Sequence, residues 1–259
     1  MNRDTLRQYV NLVVAIATII FNFLAVSLPL NGRDTGAISD SFKVLFVPAG
    51  YVFSIWGLIY IGMMAFAIYQ VRPSQRENAR LRRIGYLFAL SGLANMAWLV
   101  CWHYGYYALS VVVMLVLLLS LIAIYLRLQI GQVQVRAAER WCVDMTFSVY
   151  LGWITVATIA NVTDLLYYLQ WGGWGISPEM WTFIMLAAAV LITAAMCLMR
   201  GDVAYALVII WALAGIAVKQ AAVPAVANAA WVAAAAVAVA LVAGVVLARR
   251  RAPLPGTAG

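Results

Sequence analysis

Charge is what this sequence has least of. Of its 259 residues, 10% are Asp, Glu, Lys or Arg, against about a quarter in soluble domains, which excludes an ordinary water-soluble globule. Lysine occurs twice, as Lys43 in a loop and Lys219 near a span end. Neither is the lysine buried mid-helix that a Schiff-base photoreceptor needs. The cysteines are Cys101, Cys142 and Cys197, with no CxxC or Cys/His ligand spacing, so neither a metal site nor a disulfide framework is indicated. Short alternating strands are missing as well, which argues against a transmembrane barrel.

What remains is apolar: 66% of residues are hydrophobic and the mean hydropathy is +0.95. Several runs reach the roughly 20 residues that a helix needs to cross a bilayer. The spans read as Tyr9–Leu30, Val52–Gln70, Ile84–Trp102, Leu109–Leu128, Cys142–Leu169, Met180–Met199, a seventh after Arg200-Gly-Asp202 ending near Gln220, and Val226–Ala248. The first follows a charged start and carries a cleavage-like Ala25-Val-Ser27, but it exceeds a signal peptide's short apolar core and reads as a retained helix. Span five is longer than a perpendicular crossing and should tilt or project. The aromatic turn His103–Tyr107 and the Gly/Trp-rich loop Gln170–Pro178 suit the headgroup level.

The net charge of +8 invites a nucleic-acid reading, but the arginines sit in short clusters beside the spans, with no aromatic-basic groove. With eight spans and the N-terminus inside, the inner segments hold Arg3, Arg7, Arg72, Arg76, Arg80, Arg82, Arg83, Arg127, Arg136, Arg140, Arg200, Arg249, Arg250 and Arg251. The outer segments hold Arg33, Lys43 and Lys219. That split, 14 of the 17 basic residues against 3, is what positive-inside sorting predicts. The expectation is an all-α, polytopic membrane bundle of about eight helices, lying in a bacterial cytoplasmic membrane with both termini cytoplasmic.

The chain is organised around Pro48-Ala-Gly-Tyr-Val-Phe-Ser-Ile-Trp-Gly-Leu-Ile-Tyr60, where a polar loop turns into an aromatic-studded helix. Phe53, Trp56 and Tyr60 recur at i, i+3 and i+7, which puts three rings on one helix face. Asn95, Trp98 and Trp102 repeat the spacing, and Tyr150, Trp153, Ala157 and Asn161 share one face of span five. Spans seven and eight are alanine-rich, with one tryptophan each, Trp211 and Trp231. Small side chains let membrane helices approach closely, so this pair reads as packing. The chain divides into a five-helix unit, 1–170, and a three-helix extension with a basic tail, 171–259.

These stripes carry a resemblance to the TspO/MBR family, also called translocator proteins, tryptophan-rich sensory proteins or peripheral benzodiazepine receptor-like proteins. Pro48-x-x-Tyr-x-Phe53-x-x-Trp56-x-x-x-Tyr60 is similar to the family's proline-bearing loop and second helix. Asn95-x-x-Trp98 resembles its third-helix segment, and Tyr150 to Asn161 its fifth helix. The likeness covers roughly Tyr9 to Leu169. One proline and no tryptophan stand in Leu45-Phe-Val-Pro48, Val149 replaces the usual proline before Tyr150, and no basic residue follows Tyr167-Tyr-Leu-Gln. The resemblance implies a five-helix bundle, commonly dimeric, that takes porphyrins, sterols or drug-like aromatics in a pocket opening toward the first loop. It further implies that Phe53, Trp56, Asn95, Trp98, Trp153, Ala157 and Asn161 line that pocket, with Tyr60 on the same stripe as Phe53 and Trp56.

The expected function is therefore binding of a hydrophobic aromatic ligand, a tetrapyrrole or similar molecule, for sensing or transport, with lipid around the protein and no nucleic acid. A porphyrin-degrading enzyme working at the same tryptophans and a structural subunit docking through helices six to eight stay open as alternatives. Asn95 and Asn161 are expected to satisfy one another or the ligand, since an unmatched amide in hydrocarbon costs several kcal/mol. Asp144 is expected to pair with Arg140, and Asp164, one turn beyond Asn161, to face the outer mouth of the cleft. His103 reads as an interfacial histidine, with ligation of a tetrapyrrole metal as the sharper alternative.

Overall fold

Polar turns, glycine and proline cut the apolar sequence into eight long helices among the described residues: α1 Arg3–Ser27, α2 Ile55–Val71, α3 Leu87–His103, α4 Tyr107–Arg127, α5 Met145–Tyr168, α6 Pro178–Arg200, α7 Val203–Lys219 and α8 Pro224–Arg251. The computed structural model describes residues 3–28 and 30–251. The Pro/Gly tail of the sequence reading, 252–259, and the side chains of Arg249, Arg250 and Arg251 lie outside the described residues. The helix stops are chemically plain. Ser177 caps α6, its hydroxyl accepting from Met180 N with Pro178 at the first helical position, and Gly201 ends it at φ 62°, a left-handed conformation that glycine adopts without a Cβ clash.

Among the described residues six helical stretches are long and apolar enough to cross a membrane, including Ala137–Tyr168, which contains α5. Helices α3 and α7 have 17 residues each, about 25 Å of rise. Both bury much of their surface inside the bundle rather than facing lipid. Helix α5 is the hub, touching α2, α4 and α7, while α1 packs on α2 and α3, and α6 and α8 pack on each other and on α7. Close approach depends on small residues. A Cβ added at Gly152 of α5 would lie 3.2 Å from Val208 Cβ on α7, and one at Gly244 of α8 would lie 2.4 Å from Cys197 O on α6.

The two ends of the bundle differ in chemistry. At the basic end, Gln8 and Gln70 exchange amide hydrogen bonds to each other's backbone carbonyls (2.5 and 2.8 Å), joining α1 to α2. Arg82 pairs there with Asp4 at 2.5 Å. Arg80 is the clamp of this end: it donates to Glu139 (2.7 Å), Asp144 (2.6 Å) and Leu128 O (2.8 Å). Asp144 therefore bonds to Arg80 of the second loop, not to Arg140. One planar guanidinium can serve three acceptors on two further segments, whereas Arg140 sits in the π-helical turn Arg140–Asp144, only four residues away in sequence.

A second polar node ties α7 to α4 and α5. Asp202 accepts from Tyr205 N (3.0 Å) as the cap of α7, and its other oxygen accepts from Tyr125 of α4 (2.8 Å) and Ser148 of α5 (2.7 Å). In the sequence this node shows only as the tight turn Arg200-Gly-Asp202.

Candidate functional site

The site is built at the end opposite Arg80, where the first loop folds back over the bundle. Asp34 caps the short helix Thr35–Asp40, accepting from Ala37 N at 2.7 Å. The chain then runs as an apolar strap through Phe42, Phe46 and Val47, all buried, to Pro48 and the 3-10 turn Gly50–Ser54 that leads into α2. Helix α7 holds this strap down. Ala49 N donates to Gly215 O (3.1 Å), Gln220 Nε2 to Leu45 O (3.1 Å) and Trp211 Nε1 to Val52 O (3.2 Å), while Lys219 bonds Asp40. Gly215 has no side chain because none fits: a Cβ there would lie 2.2 Å from Val52 Cγ2. The alanine-rich seventh helix is thus a clamp on the loop as well as packing material.

His103 fastens the strap from the other side. Its Nδ1 lies 3.0 Å from Leu30 O and its Nε2 3.0 Å from Thr35 Oγ1. A carbonyl can only accept, so in the neutral ring Nδ1 carries the proton and Nε2 accepts from the threonine hydroxyl. Both nitrogens are engaged in the loop, and His103 is buried.

Beneath the strap lies a cavity walled by α2, α3 and α5. Phe53, Trp56, Trp98, Trp153, Ala157 and Asn161 all line it, together with Trp102, Val156, Ala160, Asp164 and the loop residues Thr35, Ser39, Val47 and Pro48. Rings meet edge to face, Trp153 with Phe53 at 5.6 Å and with Trp56 at 6.3 Å, while Trp98 stacks on Trp102 at 5.7 Å. The cavity measures about 40 Å³, well below the roughly 300 Å³ at which small-molecule pockets begin.

Tyr60 and Asn95 are not on this wall. Tyr60 donates to Asn22 Oδ1 (2.8 Å), and Asn22 Nδ2 donates to Asn95 Oδ1 (2.7 Å), a buried polar chain that joins α1, α2 and α3. Asn95 and Asn161 accordingly do not pair with each other. Asn161 accepts from Trp98 Nε1 (3.1 Å) and donates to Ser110 Oγ (3.0 Å). Asn22, the centre of the deeper chain, was missed by the sequence reading. Its signal is a single amide inside an otherwise apolar stretch of the first span.

Two polar atoms of the cavity residues have no hydrogen-bond partner among the described residues: Trp153 Nε1 and Asp164 Oδ1. Each residue is 2% exposed. Buried polar atoms are nearly always satisfied, so these two mark where the protein leaves hydrogen-bonding capacity open. Among the described residues no group of three or more His, Cys, Asp or Glu is placed to hold a metal ion.

Searches against curated proteins and solved structures returned no match. A family model for TSPO-like protein does match, over residues 8–243. That range takes in the aromatic stripes, the strap, α6, α7 and most of α8. A match across most of the sequence, on an all-helical membrane bundle, places this chain in the TSPO-like protein family.

Proposed function

We propose that this integral membrane protein takes a hydrophobic aromatic ligand of tetrapyrrole type into the cleft under the first loop. The observation that carries the reading is the convergence of five aromatic side chains from α2, α3, α5 and the turn before α2 on one cleft that also holds two unpartnered buried polar atoms. Flat rings offer large stacking area, and a few convergent polar groups fix orientation. Because Asn161 is bonded to Trp98 and Ser110 and Asn95 is bonded to Asn22 off the cleft wall, the polar contacts fall to Trp153 and Asp164. Filling the site requires the strap to lift, since the present enclosed volume is far below that of a ligand pocket. Purified from its native membrane, the protein should carry a Soret-type absorption band. A preparation with no pigment band that also fails to acquire one from added protoporphyrin IX would sink the tetrapyrrole assignment.

The same reading orients the bundle. Arg72, Arg76, Arg80, Arg82, Arg83, Arg127 and Arg200 belong to the end opposite the strap, and sorting by positive charge puts that end, with both termini, in the cytoplasm. The strap and cleft mouth then face outward. A cysteine introduced at Gln75 should react with a membrane-impermeant maleimide only after the cells are opened. Labelling of intact cells at that position would invert the arrangement.

A further inference from the structure

The cleft has a directional polar wall that its aromatic character does not explain. Asp164 lies one turn before the end of α5, 2% exposed, with Oδ1 lacking a hydrogen-bond partner among the described residues. Lys219 of α7 gives its ammonium to Asp40 of the strap. It lines the same cleft as Trp98, Trp102 and Trp153, and a buried acid is costly to keep in such surroundings without a counter-group. A packing residue at this position, on the same helix face as Asn161, would have no need of a carboxyl. The rings lining the same cleft are of the kind that attract cations through their faces, and Trp153 Nε1 supplies a donor at the far end of that wall, about 16 Å of helix rise away.

We infer that Asp164 is a specificity residue for the ligand's charge: the cleft selects planar aromatic molecules that carry a protonated or N–H-bearing nitrogen. Oδ1 accepts from that nitrogen, the tryptophan faces support the charge, and Trp153 Nε1 donates to an acceptor elsewhere on the ligand. A ligand edge bearing carboxylates is turned away from Asp164 and toward the cleft mouth. This rests on the aromatic-ligand reading above and narrows it from ring shape to ring chemistry.

The test compares two probes of similar ring size, 9-aminoacridine, cationic at neutral pH, and acridine, which is neutral there. Both are titrated against the full chain in detergent or nanodiscs by tryptophan quenching, with protoporphyrin IX as a third probe. The wild type should bind 9-aminoacridine at least about tenfold more tightly than acridine, the ratio that a charge-assisted hydrogen bond gives. Asp164→Asn should bring the two affinities together by weakening the cation alone. The variant is expected to fold, because Oδ1 has no protein partner to lose. Should it not fold, the wild-type ratio and Asp164→Ser carry the test. Equal affinities in the wild type, or a preference that survives in both variants, overturn the role of Asp164 and leave the aromatic site standing. Failure of all three probes to bind the wild type removes the aromatic site itself and this inference with it.

Discussion

Replacing Ala157 with Leu is expected to abolish ligand binding, by about a hundredfold or more, while the melting temperature of the bundle holds. Ala157 is a half-buried wall residue of the cleft on the helix that also presents Trp153 and Asn161. Three added carbons on this lining residue occupy the room a ligand needs. In a tight helix contact the same carbons would cost about 1–3 kcal/mol of overpacking. Trp153→Phe is the companion. Its N–H makes no protein bond, so the fold loses little beyond ring area against Phe53 and Trp56. The ligand loses both stacking area and a donor, together about tenfold in affinity. The pair is read by quenching titrations alongside thermal melts. Lower melting temperatures with unchanged affinity would make the helix-five stripe a packing surface.

The largest stability effect should come from Asp202→Ala. That change removes the cap of α7 and leaves the hydroxyls of Tyr125 and Ser148 buried without their acceptor. A lost cap costs about 1 kcal/mol, and each stranded hydroxyl adds about 1–3 kcal/mol. On soluble-domain scaling this lowers the melting temperature by about 10 °C. Asp202→Asn keeps one acceptor oxygen and should fall between. Because α7 holds the strap through Gly215, Gln220, Trp211 and Lys219, the alanine variant should also release ligand faster. Circular dichroism melts and stopped-flow dissociation check the two effects. A melt within a degree or two of wild type would show that the node adds nothing to stability.

Much of this architecture is visible in the residue order, for identifiable reasons. Membrane helices announce themselves by length and hydropathy, and ring spacings of three and seven residues put Phe53, Trp56 and Tyr60 on one face. A face is not a cavity, however. Tyr60 lies about 10 Å along the helix from Phe53, far enough to leave the wall and meet Asn22 of α1. Asn95 is a turn deeper than Trp98 and joins the same chain. Partners separated widely in sequence were the hardest to read. Asp144 had an arginine four residues away, yet the observed one is 64 residues back, because loop folding, not sequence distance, decides which guanidinium arrives first.

The seventh helix shows a different limit. Its alanine and valine content indicates close packing, whereas the side chains that hold the strap, Trp211, Lys219 and Gln220, find partners on a loop far back in the sequence, and Gly215 contributes by having none. Composition carries no trace of such bonds. Asp164 is visible in the sequence as an acid near a span end, but that its Oδ1 has no hydrogen-bond partner among the described residues is a property of the packed neighbourhood.

The central claim, that an aromatic ligand sits in the cleft walled by Trp56, Trp98 and Trp153, is tested most directly by titrating the purified full chain with protoporphyrin IX while following tryptophan emission. The account predicts saturable quenching at micromolar ligand with one molecule bound per chain, and its loss in Ala157→Leu under the same conditions. Quenching that never saturates, or a saturable curve that is identical in Ala157→Leu, would contradict it.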